Sequence, residues 1–394
     1  MTAPSPTERR WAGAGAKLLL LLGSLLFAFF LCEVGARLLL PPQQTVRVTD
    51  IRPESAEPYA RVDTHEEKSI NSVVLFGGHR GARLRPNTRS QILNHTLSNR
   101  DVLIEVNSIG LRYPELGEKT KDEFRVLVLG DSITLGDFVS EDETLTRQLE
   151  KLTTGRSKKI LFINAGLPGV GTMEELYLYE EVRDRVQPDL VLVAMYLNDA
   201  QTAGGFYARA IPPPLSKSRF LTWAANRVQI LGKTFFREGG VKIDPKWREG
   251  FRAGRNLKSG NMFDSKDGFD FEIYNAFMDF GLAWNPRSWE ILDGIVPSLQ
   301  KETREKGSQL AILLFPVHIQ VLGSYQDHSP QDRCREICAR RGIPYLDVLP
   351  SLRADWHARS QRLFYDHCHY TPYGYTVVAR EILAGLDREK LIPS

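Results

Sequence analysis

No run of basic residues, and no basic patch interleaved with aromatic residues, occurs in this 394-residue chain, whose formal net charge is only +3. Nucleic-acid-binding domains usually carry Lys and Arg clustered on one face or along one helix. The sequence therefore predicts no nucleic-acid partner. Internal repeats and low-complexity tracts are lacking as well, so nothing indicates a repeat architecture.

Cysteine is scarce, with four residues in the whole chain. Cys334 and Cys338 are four residues apart in a predicted helix, and both a disulfide in an oxidising compartment and a pair of free thiols fit that spacing. A metal site formed by these two and a histidine is conceivable, but the spacing does not match the common zinc patterns. Cys32 lies in an apolar run and Cys368 in a polar loop. We expect no metal site.

One long apolar run lies near the N-terminus. Leu18–Cys32 is uninterrupted by charge, which is somewhat short for a bilayer span of about 20 residues. It can be lengthened through Val34–Leu40, because Glu33 and Arg37 are one helical turn apart and can pair. We predict a transmembrane anchor over residues 18–40.

The charges around this run predict its orientation. Arg9, Arg10 and Lys17 precede the apolar residues, and positive charge there favours an N-terminus inside. Residues 1–17 are then cytoplasmic and the remainder of the chain is extracytoplasmic. The alternative is a cleaved signal peptide and a secreted protein, since residues 34–36 are small in roughly the cleavage pattern. The anchor is favoured because the apolar run continues past that site.

Apolar runs alternate with helical patterns through the rest of the chain. Five runs predict buried strands: Val126–Leu129, Ile160–Ile163, Leu190–Met195, Leu310–Phe315 and Tyr345–Val348. Helical patterns lie between them, at Glu143–Leu152, Met173–Arg185, Trp289–Lys306 and Arg333–Arg341. This alternation predicts an α/β fold with a mainly parallel five-stranded sheet covered by helices on both faces.

A serine between glycines follows the first of these strands, in Gly130-Asp131-Ser132-Ile133-Thr134-Leu135-Gly136. Open α/β sheets form their ligand sites at the carboxyl ends of the strands. The hydroxyl of Ser132 is therefore expected at that edge. The other interpretation is an ordinary turn in which the serine caps a helix.

A possible base lies near the other end of the chain, in Asp366-His367-Cys368-His369. A serine hydroxyl is a weak nucleophile until a base takes its proton, and histidine is the usual base. Asp366 can fold back from the same loop to orient the ring of His369. His367 is the competing base, and a polar loop before a C-terminal helix is the alternative interpretation.

Together with two further blocks, these motifs resemble the SGNH, or GDSL, hydrolases. The blocks Asn164–Gly169 and Tyr196–Asp199 also match, and all four occur in the order that is usual for the family. The resemblance covers roughly residues 125–386. It implies a three-layer α/β/α sandwich of the flavodoxin-like SGNH type.

The resemblance also implies roles for individual residues. Ser132 would be the nucleophile, His369 the base and Asp366 its orienting acid. The backbone N–H groups of Ser132 and Gly169 and the side-chain amide of Asn198 would form the oxyanion hole. Neither a metal nor an organic cofactor is implied.

One position departs from the family pattern. The third block usually reads Gly-x-Asn-Asp, whereas this chain has Tyr196 in place of the glycine. We expect the tyrosine to narrow or reshape the pocket beside Asn198. The departure bears on the substrate class more than on the mechanism.

Two segments lie outside the predicted sheet. Residues 41–121 read as an N-terminal extension, either a stalk or a small subdomain, before a hydrolase domain over residues 122–394. Residues 201–286 read as an aromatic-rich insertion after the third block. Such an insertion would emerge at the active-site edge as a lid or substrate platform, although most of its aromatics are expected to pack its own core.

These features predict a membrane-anchored, extracytoplasmic serine esterase that cleaves carboxylic esters. Acetyl esters on cell-envelope or exported polysaccharide are the preferred substrate, by analogy of location. The alternatives are an O-acyltransferase on the same scaffold, a lysophospholipase or thioesterase, and a non-catalytic glycan-binding assembly protein. Expected partners are therefore an ester substrate, glycan or lipid, and the membrane.

Overall fold

The computed structural model of this chain describes most of its length. The described residues are 6–39, 45–52, 60–67, 73–76, 81–95, 97–199, 218, 220–221, 223–224, 264–276 and 279–394. Most of the predicted insertion, and five residues of the proposed cytoplasmic N-terminus, lie outside them. The chain forms two compact units, one of residues 1–43 with 208–241 and the other of residues 44–207 with 242–394.

The first unit contains helix α1, Pro6–Leu39. Its segment Ala16–Leu39 has a mean hydropathy of 2.3 and is long and apolar enough to cross a membrane. Large side chains of this segment are exposed, with Leu19 and Leu20 both 72% exposed. Arg37 donates to Glu33 at 2.8 Å, so the pairing predicted from their spacing is confirmed.

The second unit begins with short antiparallel strands. A four-stranded sheet has the order β2-β1-β5-β6, and a separate pair joins β3 to β4. The strands are β1 (Thr45–Arg52), β2 (Ala60–Glu67), β3 (Val74–Phe76), β4 (Ala82–Leu84), β5 (Thr88–Leu93) and β6 (Val102–Val106). In β5 and β6 side chains alternate between buried and more open positions, as expected of strands with one face on a core. These strands lie within residues 41–121, the segment predicted from sequence as an N-terminal extension.

The central sheet has five parallel strands, as predicted. They are β7 (Glu123–Gly130), β8 (Lys159–Gly166), β9 (Leu190–Met195), β10 (Gln309–Leu314) and β11 (Tyr345–Asp347). Their order is β11-β10-β9-β7-β8, with β9 and β8 on either side of β7. This is the flavodoxin-like order, in which the chain reverses direction across the sheet between β7 and β9. A ligand site is expected in the crevice at the carboxyl ends of these two strands.

Helices flank this sheet. They are α2 (Ser132–Leu135), α3 (Leu145–Leu152), α4 (Thr172–Val186), α5 (Lys266–Asn275), α6 (Pro286–Glu305), α7 (His318–Leu322), α8 (Ser329–Arg341), α9 (Leu349–Arg359) and α10 (Pro372–Arg388). Helix α3 packs on α10, and α4 packs on α6. On α4, Leu176, Tyr179 and Val182 lie near helical spacing and are buried in the core, each at most 4% exposed. The α/β class and the five-stranded parallel sheet are confirmed.

Two local details differ from the sequence predictions. Helix α3 begins after Thr144 rather than at Glu143. Glu141–Glu143 forms a 3₁₀ turn, and the Thr144 hydroxyl caps α3 by accepting from the backbone N–H of Arg147 in the first helical turn. All four cysteines are free thiols, including Cys334 and Cys338 on α8. Cys334 and Cys338 therefore form no disulfide, and the alternative of two free thiols is the one found.

Candidate active site

The nucleophile motif forms a tight turn at the end of β7. Asp131, rather than Ser132, caps helix α2, since its carboxylate accepts from the N–H of Ile133 at 2.8 Å. Gly130 is required by close packing, because a Cβ there would lie 2.1 Å from the Thr134 hydroxyl and 2.8 Å from the Ala194 carbonyl. Ser132 is therefore the first residue of the helix, where a backbone N–H has no acceptor within the helix.

Ser132 and His369 lie within hydrogen-bonding distance, although 237 residues separate them in the chain. The Ser132 Oγ is 2.9 Å from His369 Nε2. On the other side of the ring, His369 Nδ1 is 2.8 Å from Asp366 Oδ2. Asp366 also accepts from the backbone N–H groups of Cys368 and His369, at 2.9 and 2.8 Å. A serine hydroxyl, an imidazole and a carboxylate are thus aligned, which is the arrangement that nucleophilic catalysis by serine requires.

The start of α10 holds this terminal loop in place. The Thr371 side chain caps the helix by accepting from the N–H of Gly374, and Pro372 occupies its first turn. The Tyr375 hydroxyl donates to the backbone carbonyl of Ile133 at 2.6 Å. The helix that follows His369 is therefore hydrogen-bonded directly to the helix that carries Ser132.

The charges around His369 set its protonation. Burial acts to lower the pKa of His369, but the hydrogen bond with Asp366 and the negative charges of Asp137, Asp366 and Asp131 outweigh it and raise the pKa. For Asp366, burial acts to raise the pKa, but His369 and the backbone N–H of Cys368 hold it well below its usual range. Asp366 is therefore an ionised acceptor, suited to stabilise a protonated imidazole.

Other side chains pack around the imidazole. The ring of Phe138 lies over His369, with centroids 4.0 Å apart, and His95 contacts the same phenyl ring edge-on at 4.6 Å. Burial, and then the nearby charge of His369, lowers the pKa of His95 to about 4. Burial raises the pKa of Asp137 to about 6. The sequence reasoning missed Asp137 and Phe138, although both directly follow the glycine that ends the nucleophile motif.

A buried arginine ties the extension to the nucleophile turn. Arg112 donates to the carbonyls of Leu135, Gly136 and Val139 at 2.7–2.9 Å and pairs with Glu141 at 3.0 Å. Its side chain is fully buried. Because five such donors in a fixed fork restrict the atoms around them, Arg112 fixes the segment that carries Phe138 and Asp137.

The predicted oxyanion-hole residues lie in the expected turns. Gly169 has a φ of 65°, a left-handed conformation that favours glycine. It sits in the turn after β8, and Asn198 sits in the turn after β9. The Asn198 amide donates to Asp279 Oδ1 at 3.0 Å. Tyr196 is 3% exposed and belongs to the hydrophobic core, so a narrowing of the pocket beside Asn198 stays a prediction.

The competing histidine has a different partner. His367 Nε2 lies 2.9 Å from Asp279 Oδ2, and its ring centroid is 6.5 Å from that of His369. Asp279 belongs to the predicted insertion, just before the 3₁₀ turn Phe280–Trp284. No motif marked this aspartate in the sequence, because its contacts arise only from folding.

One group among the described residues has ligand atoms close enough for a metal ion. Asp366, Cys368 and His369 each offer one atom, all within 4.8 Å of one another. The same Asp366 and His369 atoms form the 2.8 Å hydrogen bond. A metal on His369 Nδ1 would replace the proton that this bond needs, so these residues fit a hydrogen-bonded pair rather than a metal site.

Two of the described aromatics of the insertion, Phe269 and Phe280, belong to the hydrophobic core. Phe269 and Phe280 are buried, at 1% and 4% exposure. Phe269 contacts Trp284 and Tyr325 at centroid distances of 5.5 and 5.2 Å. Phe269 and Phe280 therefore have a core role, as expected for most of the aromatics, while residues 201–217 and 225–263 of the predicted lid or platform lie outside the described residues.

Comparison with known proteins finds no matching family model and no matching curated protein. Similar solved structures include LAE5, an alpha/beta hydrolase enzyme from the metagenome of Lake Arreo, Spain, at 14% identity and a TM-score of 0.39 over 67% of this chain and 95% of that one. A two-domain esterase, CEX, active on acetylated mannans, is 13% identical with a TM-score of 0.39 over 68% and 50%. Axe2, an acetyl-xylooligosaccharide esterase from Geobacillus stearothermophilus, is 12% identical with a TM-score of 0.36 over 67% and 94%. At such low identities and TM-scores these similarities decide nothing about the activity of this chain, whose function must be argued from its own site.

Proposed function

We propose that this chain is a serine ester hydrolase of the SGNH type. The observation that carries the proposal is the pair of distances at His369, 2.9 Å to the Ser132 hydroxyl and 2.8 Å to Asp366. Nucleophile and base must lie within about 2.6–3.2 Å to exchange a proton. The four sequence blocks of the family, in their usual order, support the same proposal.

The proposed reaction has two halves. The Ser132 oxygen attacks the ester carbonyl while its proton passes to His369 Nε2, and Asp366 stabilises the imidazolium. The proton then goes to the leaving alcohol, and an acyl-enzyme remains. In the second half His369 takes a proton from water, whose oxygen attacks the acyl carbon, and the acid is released as Ser132 recovers its proton.

Negative charge on the former carbonyl oxygen needs donors. The backbone N–H groups of Ser132 and Gly169 and the side chain of Asn198 are the proposed donors, because each follows one of three adjacent parallel strands at the same edge of the sheet. Donors held in place before the reaction are commonly the largest catalytic contribution.

The proposal extends to the class of substrate and to the location of the protein. We propose acetyl esters of cell-envelope or exported polysaccharide as the substrate, cleaved outside the cytoplasm by a domain anchored through α1. The ring of Phe138 beside His369 supports a short acyl group, since it occupies space next to the reacting atoms.

The first prediction concerns the nucleophile. Replacing Ser132 by Ala should lower turnover of p-nitrophenyl acetate by on the order of 10⁴-fold or more and abolish labelling by a fluorophosphonate probe, because no other group supplies the attacking oxygen. Ser157→Ala, at an exposed serine, is the matched control and should behave as wild type.

Wild-type turnover in the Ser132→Ala variant would refute the proposal. Product analysis with acetylated and acceptor glycans then separates the two acyl-transfer outcomes. Free acetate indicates an esterase, whereas acetyl groups moved to the acceptor would replace the hydrolase by an acyltransferase.

A further inference from the structure

Asp279 bridges two residues of the candidate active site. Its Oδ1 accepts from Asn198 Nδ2 at 3.0 Å, and its Oδ2 lies 2.9 Å from His367 Nε2. The side chains of Asp279 and His367 are 26% and 35% exposed, but His367 Nε2 itself is buried and has no well-directed hydrogen bond within the described residues, so its contact with Asp279 is a close polar contact. This places a carboxylate directly on the side chain proposed to hold the oxyanion.

The chemistry of a carboxylate restricts how Asn198 can point. An ionised carboxylate only accepts hydrogen bonds, so the amide must turn its nitrogen, and not its oxygen, toward Asp279. The opposite orientation would set two acceptors against each other. The amide nitrogen has two N–H groups, and the bond to Asp279 uses one of them. The second remains for a substrate oxygen.

We propose that Asp279 is a positioning residue that fixes the Asn198 amide as an oxyanion-hole donor, with His367 in contact with its other carboxyl oxygen. The inference deepens the proposed function and rests on it. Asp279 stands to Asn198 as Asp366 stands to His369: each carboxylate sets the direction of the group that acts on the substrate.

A single loop then organises both halves of the site. Asp366, His367 and His369 lie within four consecutive residues. The backbone carbonyl of His367 accepts from the N–H of His318 at 2.8 Å, which fixes the turn between the two imidazoles. Through His369 the loop contacts Ser132, and through His367 it contacts Asp279, the residue proposed to orient Asn198.

A double-mutant cycle on the full-length chain tests this role. Loss of an oxyanion donor costs about 10²–10³ in kcat, so Asn198→Ala should show a loss of that order. Asp279→Ala should lower kcat by at least about tenfold with KM within about twofold, because the donor acts on the transition state. In the Asn198→Ala background, Asp279→Ala should have no further effect beyond about twofold.

Additive losses in the double variant would overturn the proposal, since a merely structural aspartate lowers activity whether or not Asn198 is present. An Asp279→Ala variant as active as wild type would overturn it too. Asp279→Asn is the conservative variant, because its carbonyl oxygen can still accept a hydrogen bond from Asn198. Its kcat should therefore stay close to that of wild type. A loss of kcat as large as that in Asp279→Ala would contradict the hydrogen-bond mechanism.

Asp267→Ala, at an exposed aspartate of α5 near Asp279 in the chain, is the matched control and should retain wild-type kinetics. The Ser132→Ala and Asp279→Ala variants distinguish a failure of the proposed function from a failure of this inference. If Ser132→Ala keeps wild-type turnover, the hydrolase proposal fails. If Ser132→Ala is inactive but Asp279→Ala is not impaired, only the positioning role fails.

Discussion

His369 is contacted by Ser132 and Asp366 at its two ring nitrogens and by Phe138 at its face. Three carboxylates raise the pKa of His369: Asp366 contacts the ring directly, whereas Asp137 and Asp131 act through their negative charge. The Asp137 Oδ1 is buried and has no hydrogen-bond partner within the described part of the chain. Such a group has little structural value, and we interpret it as a means of tuning the pKa of His369.

The second prediction follows from that tuning. A general base must be neutral, so activity rises with pH through the pKa of His369, which lies above its ordinary value of about 6.5. Asp137→Asn removes a negative charge that raises this pKa. The acid limb of the kcat/KM–pH profile should therefore move to lower pH.

Asp142→Asn, which alters an exposed aspartate in the following 3₁₀ turn, is the control and should leave the acid limb in place. An unchanged limb in Asp137→Asn, or an equal shift in both variants, would contradict the assignment.

At the scale of elements, helix α4 carries a buried carboxyl group without a hydrogen-bond partner among the described residues. Glu175 is fully buried, and neither of its carboxyl oxygens has a hydrogen-bond partner among the described residues. Burial, followed by the charges of Asp131 and Glu174, raises the pKa of Glu175 well above its usual range. The folded protein therefore holds a neutral Glu175, while the unfolded chain ionises it at neutral pH.

The third prediction is a stability effect of Glu175→Gln. Since the pKa is raised in the folded state, wild type loses stability as pH rises above about 4.3, by up to about 1.4 kcal/mol for each pH unit until the folded pKa is reached. Glutamine has no proton to lose, so the variant should gain in Tm over wild type, and more at pH 8 than at pH 5.

Thermal unfolding at both pH values measures this gain. Glu180→Gln, at an exposed position of the same helix, should show no such pH-dependent difference. A constant gain in Glu175→Gln, or none, would mean that Glu175 is ionised and satisfied in the folded protein.

At the scale of the whole molecule, the chain has two compact units of different character. The second holds the parallel sheet and every residue of the candidate site, and the first holds α1. The exposed leucines of α1 would be unfavourable in water, at roughly 25 cal/mol for each Å² of apolar surface. A bilayer removes that surface from water, which supports an anchor.

The fourth prediction is that the full-length chain sediments with membranes and is released by detergent but not by high salt. Substituting both Leu22 and Leu26 by Arg should move it to the soluble fraction, since each central charge costs about 2.5–3.5 kcal/mol of insertion free energy. Leu97→Arg, outside α1, should leave the chain in the membrane fraction. Release of the wild-type chain from membranes by high salt, or sedimentation of the double variant with membranes, would contradict an anchor.

Much of the central architecture could be predicted from sequence alone. Buried parallel strands are continuous apolar runs, so the strands from β7 to β11 were recognisable within a few residues. The glycines around Ser132 marked the turn that carries it, because the backbone requirements of such a turn are local.

What the tertiary structure decided is the set of contacts that link distant segments. The order of the strands brings Ser132 to His369, places His367 on Asp279 rather than on the serine, and sets Asp137 and Phe138 around the imidazole. Local sequence determines backbone conformation and hydrophobic pattern. Which polar groups meet across the chain depends on packing between elements, and this is why Ser132 stood out in the sequence whereas Asp279 did not.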